Sequence, residues 1–255
     1  MSGTWGYSGL KPVGEKRTYR SFIARNGLTG FQVRHQETDL HIQADRNLEN
    51  EVSTWVIEVR LSIEDYARSH PGFLESYTPL PDDPFASAVV RDMLESSAAA
   101  GVGPMAAVAG AIAQHIGKRC VELTSGEVIV ENGGDIFLRV FEPITSAIWA
   151  GTSPLSGRVG IAVAPSRMPL GICTSSGTMG HSRSLGKADA VTIVSQSVAL
   201  ADATATSIGN MVRIEKDIDP GLNALQEIPG ILGGVIIKGT KLGIWGQIEL
   251  VPLNL

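Results

Sequence analysis

Three short stretches of this 255-residue chain bring together residue types that can do chemistry. The first is Asn132-Gly133-Gly134-Asp135. Asn-Gly and Gly-Gly dipeptides favour positive φ, so a tight turn or bulge is expected there, carrying Asp135 at its edge. The second runs from Gly171 through Cys173-Thr174-Ser175-Ser176-Gly177 to His181. A strand leading into such a Gly- and hydroxyl-rich loop exposes backbone N–H groups and small donors that can cradle phosphate oxygens. It has neither the P-loop lysine nor the dinucleotide-fold glycine spacing. His181 closes the loop, and an imidazole titrating near neutrality can act as a general base. Cys173 nearby invites a Cys–His reading, but thiol activation needs an electropositive setting. The third stretch is Asp202 and Thr206, four residues apart and so on one helix face. A carboxylate and a hydroxyl are hard oxygen donors suited to Mg²⁺ or Ca²⁺, with water completing the shell.

Each stretch also has a plainer explanation. Asp135 can be a turn residue with local hydrogen bonds, and the 174–180 loop an ordinary Gly/Ser surface loop. Asp202 can cap the N-terminus of its own helix, and Thr206 can be a half-buried helix residue. His35, His41, His70 and His115 have no neighbours in sequence that suggest chemistry.

These residues need elements to position them. Phe31–Arg34 and Leu40–Gln43 alternate apolar and polar residues, as half-buried antiparallel strands do. Val52, Trp55, Val56, Val59 and Ile63 recur at helical spacing, which predicts a helix over Asn50–Tyr66. Asp82 or Asp83 before Pro84 predicts a helix start, with Phe85, Val89, Met93 and Leu94 as its apolar stripe. After the Gly101–Pro104 break a second helix is expected over Met105–Gly117, where Ala107, Gly110, Ala111 and Gln114 form a low-profile face. Strands are expected at 127–130, 136–140, 159–164, 170–174 and 190–194, a helix at 199–211, and a closing strand pair at 231–237 and 244–251. The pattern is α+β, with an antiparallel sheet and long packed helices. No internal repeat or low-complexity linker divides the chain, so one domain over 1–255 is expected, with the motifs within about 100–210.

Composition narrows the classes. The net charge is −5 with no Lys/Arg block, which argues against a nucleic-acid partner. Two cysteines are too few for a disulfide scaffold. Residues 96–117 lack Asp, Glu, Lys and Arg. Their Ala, Gly and Ser content and the central break nevertheless favour two packed helices over a membrane span. The first residues carry no apolar core behind basic ones, so a cytoplasmic setting is expected. Residues 1–95 hold 24 of the 47 charged side chains, leaving the rest of the chain poor in charge. That weakly charged inventory is compatible with a homodimer.

The motif order resembles the ApbE-related flavin transferases, Mg²⁺-dependent enzymes that hydrolyse FAD and attach FMN to a threonine. Val130-Glu131-Asn132-Gly133-Gly134-Asp135-Ile136 resembles their strand ending in Gly-Gly-Asp. Thr174-Ser175-Ser176-Gly177 resembles their Thr-Ser-Gly loop with one residue more, and His181 stands where their histidine follows. Ala201-Asp202-Ala203-Thr204-Ala205-Thr206 is similar to their Ala-Asp-Ala-x-x-Thr metal segment. Over its whole length the chain looks more like a small, signal-less branch of that superfamily. The resemblance implies a T-fold-related architecture with a ligand cleft. It also implies Asp202 and Thr206 as Mg²⁺ ligands, His181 as the catalytic group, and FAD or FMN contacts from Gly133, Gly134, Asp135, Thr174, Ser175, Ser176 and Gly177. The chain departs from the transferases after the histidine, where His181-Ser182-Arg183-Ser184 lacks their Asp-Pro pair. It also lacks their Ser/Asn-rich flavin-contacting segment near the N-terminus. The readings left open are a transferase or pyrophosphate-cleaving enzyme, a non-catalytic flavin or nucleotide-like cofactor binder, and an enzyme for another small heterocycle.

Overall fold

A computed structural model of the chain describes residues 27–177 and 186–253. In chain order the strands are β1 (Thr29–His35), β2 (Thr38–Ala44), β3 (Val128–Asn132), β4 (Asp135–Arg139), β5 (Ile144–Ala147) and β6 (Val159–Val163). They continue with β7 (Leu170–Ser175), β8 (Ala190–Ser195), β9 (Ile231–Lys238), β10 (Lys241–Gly246) and β11 (Glu249–Pro252). The helices are α1 (Glu49–Ser69), α2 (Ala88–Ala100), α3 (Val108–Thr124), α4 (Val198–Met211) and α5 (Ile218–Gln226).

Eight strands form one antiparallel sheet in the order β1-β2-β3-β4-β7-β8-β9-β10. The order shows four antiparallel strand pairs laid side by side, with α1–α3 inserted after the first pair and α4–α5 after the third. The β5–β6 excursion between the second and third pairs joins β11 in a three-stranded sheet, β11-β6-β5. Side chains alternate across a strand, and the two faces of the large sheet take different covers. Phe137 and Cys173 share a core with helix residues such as Val56, Met93, Ile116 and Ile208. Leu138, Ile172 and Val194 point the other way and pack with Ile161 and Val163 of the small sheet. The α+β architecture with an antiparallel sheet and long packed helices agrees with the reading of the sequence.

Several boundaries differ from it. No helix starts at Pro84. Asp83 Oδ1 instead accepts the Phe85 N–H at 2.9 Å, folding that stretch into a turn. The helix begins at Ala88, and Phe85 is 96% exposed rather than part of the apolar stripe. Helix α3 runs past Gly117 to Thr124. Gly117 is where the ring of Phe137 presses in, since a Cβ there would lie 2.2 Å from Phe137 Cδ1. The expected strand over 244–251 is two strands in two sheets, because the chain turns at Gly246 with φ 94°. Helix α5 lies where the sequence reading has no element; its Pro220 falls in the first turn, where a proline is compatible with a helix. Strand β5 is only four residues long and polar at its centre, leaving little pattern to read.

The charge-free residues 96–117 fall in α2, the break and α3. Among the described residues no single helix is long and apolar enough to cross a membrane, and this pair is bent by 106°.

Candidate functional site

Helices α3 and α4 cross in an antiparallel sense over strand β7, at a distance set by missing side chains. A Cβ on Gly110 would lie 2.5 Å from the Val198 carbonyl oxygen and 2.7 Å from Asp202 Cβ. A Cβ on Gly171 would lie 2.7 Å from Val198 Cα. This close approach brings Asp202 onto the start of α3, where the Gly110 N–H donates to its Oδ2 at 2.8 Å. The first amides of any helix lack partners within it, and Asp202 supplies one for α3. It does not cap its own helix. That role belongs to Ser197, whose hydroxyl accepts the Leu200 N–H at 3.3 Å.

The Gly-Gly turn arrives at the same corner. Gly133 and Gly134 have φ of 70° and 113°, in the region that favours glycine. Glu131, only 1% exposed, accepts the Gly134 N–H at 3.0 Å and fixes the turn from inside. Asn132 donates from Nδ2 to the Ala109 carbonyl at 3.1 Å, tying the turn to the start of α3. Gly134 in turn accepts the Thr174 N–H at 3.2 Å. The turn therefore releases Asp135 as the first residue of β4, directly opposite Cys173 on β7.

Electrostatics at this corner are strained in one direction. Burial pushes the Asp135 carboxyl well above its ordinary range, and the charges of Asp202 and Glu131 push it further. Burial also drives Asp202 up to about 7, against the opposing hydrogen bonds from Gly110 and Ala109. The Cys173 thiol is raised as well, by burial and then by Asp135 and Asp202, and it donates to the Val198 carbonyl at 3.4 Å. A buried thiol beside carboxylates stays protonated, which removes Cys173 as a nucleophile.

The structure separates the residues of the hydroxyl-rich run. Thr174 and Ser175 belong to β7, paired with Thr192 and Val191 of β8. The Gly177 N–H goes to the Ala188 carbonyl at 2.9 Å, so backbone donors at Thr174 and Gly177 are already used. Thr174 lies on the small-sheet face, where its hydroxyl meets that of Thr192 at 2.9 Å. Ser175 lies on the helix face with Cys173, against Gly209 of α4. Ser176 is half-buried just beyond the strand. Thr206 is half-buried, one turn beyond Asp202 on α4. His181 lies outside the described residues. The corner thus unites Gly134, Asp135, Cys173 and Asp202, with Ser175 and Thr206 farther along the same helix–sheet interface.

Glu131 and Asn132 were not singled out from sequence as working residues. The available signal was a carboxylate ending the otherwise apolar run Val128–Val130 in a strand buried at every position.

A family model described as AbpE bacteria matches residues 20–222. A UPF0280 protein from Methanococcus aeolicus is 38% identical over 83% of this chain and 88% of its own length. Among solved structures, the ApbE protein of Thermotoga maritima superimposes with a TM-score of 0.55 at 11% identity, covering 85% of this chain and 96% of that one. The Pseudomonas stutzeri flavinyl transferase ApbE gives 0.54 at 14% identity, covering 86% and 94%. The fold is ApbE-like, and by the extent of the family match the chain belongs to the AbpE bacteria family.

Proposed function

We propose that the corner between the Gly-Gly turn and α4 binds Mg²⁺ and the pyrophosphate of a flavin dinucleotide, and that the protein cleaves or transfers across that pyrophosphate. The observation that carries this reading is the carboxyl pair at this corner, Asp135 buried and Asp202 half-buried, each raised toward its protonated form. Two carboxyls brought together out of water repel when ionised, and a divalent cation relieves that repulsion. Asp202 and Thr206 would hold the ion, with Asp135 beside it. Among the described residues no three His, Cys, Asp or Glu side chains are grouped to hold a metal by themselves. That donor set suits Mg²⁺, which keeps several waters and takes substrate phosphate oxygens, better than a closed structural metal site. When bound, Mg²⁺ neutralises phosphate charge and steadies the leaving group.

The chain's own residues have defined tasks in this reading. Glu131 and Asn132 hold the turn, and the start of α3 holds the Asp202 carboxylate. His181 accepts the proton of the attacking hydroxyl or water as its oxygen bonds to the FMN phosphorus, the bond to the AMP oxygen breaks, and AMP departs. Titration of the purified protein with FAD, with and without Mg²⁺ and followed by product analysis, tests this. Mg²⁺-dependent appearance of FMN and AMP is the expected result. Bound but intact FAD would identify a flavin carrier instead, and no binding of FAD or FMN would overturn both.

A further inference from the structure

Gln114 is a buried amide in the middle of α3. Its carbonyl accepts the N–H of Val198, the first residue of α4, at 2.8 Å. Its Nε2 donates to Asp92 Oδ2 on α2, also at 2.8 Å. His115 Nε2 lies 2.9 Å from the same carboxylate oxygen. Burial alone would raise the Asp92 carboxyl, but the hydrogen bond and charge of His115, helped by Lys118 and Gln114, hold it below the ordinary range.

An ionised carboxylate can only accept hydrogen bonds, so Asp92 fixes which end of the Gln114 amide faces α4. Reversing the amide would set its NH₂ against the Val198 N–H and its carbonyl against the carboxylate. Residues four apart share a helix face. On α3 these are Gly110 and Gln114, and on α4 they are Asp202 and Val198. The two helices are therefore joined by two rungs, Gln114 to Val198 and Gly110 to Asp202. Val198 has no room to slide, because Gly171 and Gly110 press against its backbone.

We propose that Gln114 and Asp92 are positioning residues that set the register of α4, and through it the placement of Asp202 and Thr206 for metal binding. This rests on the reading of Asp202 and Thr206 as the metal-holding pair. Outer hydrogen-bond partners of metal ligands typically change affinity by about 10–100-fold when removed.

The test uses Mn²⁺ as a paramagnetic probe, with free Mn²⁺ counted by electron paramagnetic resonance and thermal midpoints measured in parallel. Wild-type protein is expected to bind Mn²⁺. Gln114→Glu sets a second carboxylate against Asp92, and its Mn²⁺ affinity is expected to fall about tenfold. Adding Asp92→Asn to that variant restores a donor–acceptor pair of reversed polarity, and most of the affinity should return. If Gln114→Glu lowers the midpoint but leaves Mn²⁺ affinity unchanged, Gln114 is only a strut and the proposal fails. Absence of recovery in the double variant also overturns it. Should Gln114→Glu not fold, the neutral Gln114→Met is measured instead, and wild-type affinity there overturns the proposal. If the wild-type protein binds no Mn²⁺, the metal reading itself falls and takes this inference with it.

Discussion

The Gly110 N–H donates to Asp202 Oδ2 at 2.8 Å, so a carboxylate from α4 closes the open start of α3. One side chain thereby serves two ends. It stitches two helices together, and it holds a negative charge where burial disfavours one.

That conflict predicts opposite effects from Asp202→Asn. The folded-state value of about 7 lies above the ordinary 3.8. A carboxyl raised in this way contributes stability that is fully present below the unfolded value and is lost as pH rises through the folded one. In chelator, wild-type protein should therefore lose thermal stability relative to Asp202→Asn as pH rises from about 4 to about 7, most steeply between the unfolded and folded values, and the loss should level off above about 7. The asparagine keeps an acceptor for Gly110 and removes the charge. A wild-type-minus-variant difference that stays flat across this range would refute the assignment.

Added Mg²⁺ should raise the wild-type midpoint more at pH 8 than at pH 6, since metal binding requires a deprotonated ligand. Asp202→Asn should show no Mg²⁺ response at either pH. A variant that responds like wild type would return Asp202 to a purely structural role.

Gly110→Ala introduces a Cβ 2.5 Å from the Val198 carbonyl oxygen, which is backbone and cannot swing aside. Overpacking of this kind costs about 1–3 kcal/mol. Denaturant unfolding should show that loss, and a change within ~0.5 kcal/mol, typical of an unconstrained surface site, would mean the helices separate freely.

Thr174→Val removes the hydroxyl pair with Thr192 and should cost about 1 kcal/mol of stability. Thr174 lies on the opposite face of the sheet from Asp135 and Asp202, so Mg²⁺ and flavin binding should be unchanged. Weakened flavin binding in a folded Thr174→Val variant would place the ligand elsewhere.

Both cysteines should resist a thiol-specific reagent in native protein. Cys120 and Cys173 are buried. Burial, with the nearby Glu51 charge, pushes Cys120 up to about 12. Two thiols per chain should react in denaturant, and rapid labelling of Cys173 in the native state would revive a thiol mechanism.

The sheet and the helices that carry the site were legible because their apolar residues recur with clear periods. Val52, Val56, Val59 and Ile63 mark α1 and are buried as expected. The misreadings have local physical causes. Asp83 satisfied a turn instead of a helix start, and Gly246 redirected a strand between sheets. Asp135 and Asp202 were recognisable as candidates by residue type and motif. Their proximity to each other was not, because it depends on a crossing distance set by Gly110 and Gly171. Gln114 was visible as a polar residue in a charge-free stretch, but its two partners lie far away along the chain, at Asp92 and Val198.

The strand order β4-β7 carries a kinetic consequence. Asp135 and Cys173 face each other across the junction of two locally closed strand pairs, with residues 140–169 inserted between them. Contacts between distant segments carry a larger loop-closure cost than those within a hairpin. If the molecule opens sub-globally, as other folds do, this junction is one seam at which intact strand pairs would part. Helical and strand content would survive such an opening, but the carboxyl pair would not. Conditions that merely loosen this molecule should silence the corner before any loss of secondary structure is seen.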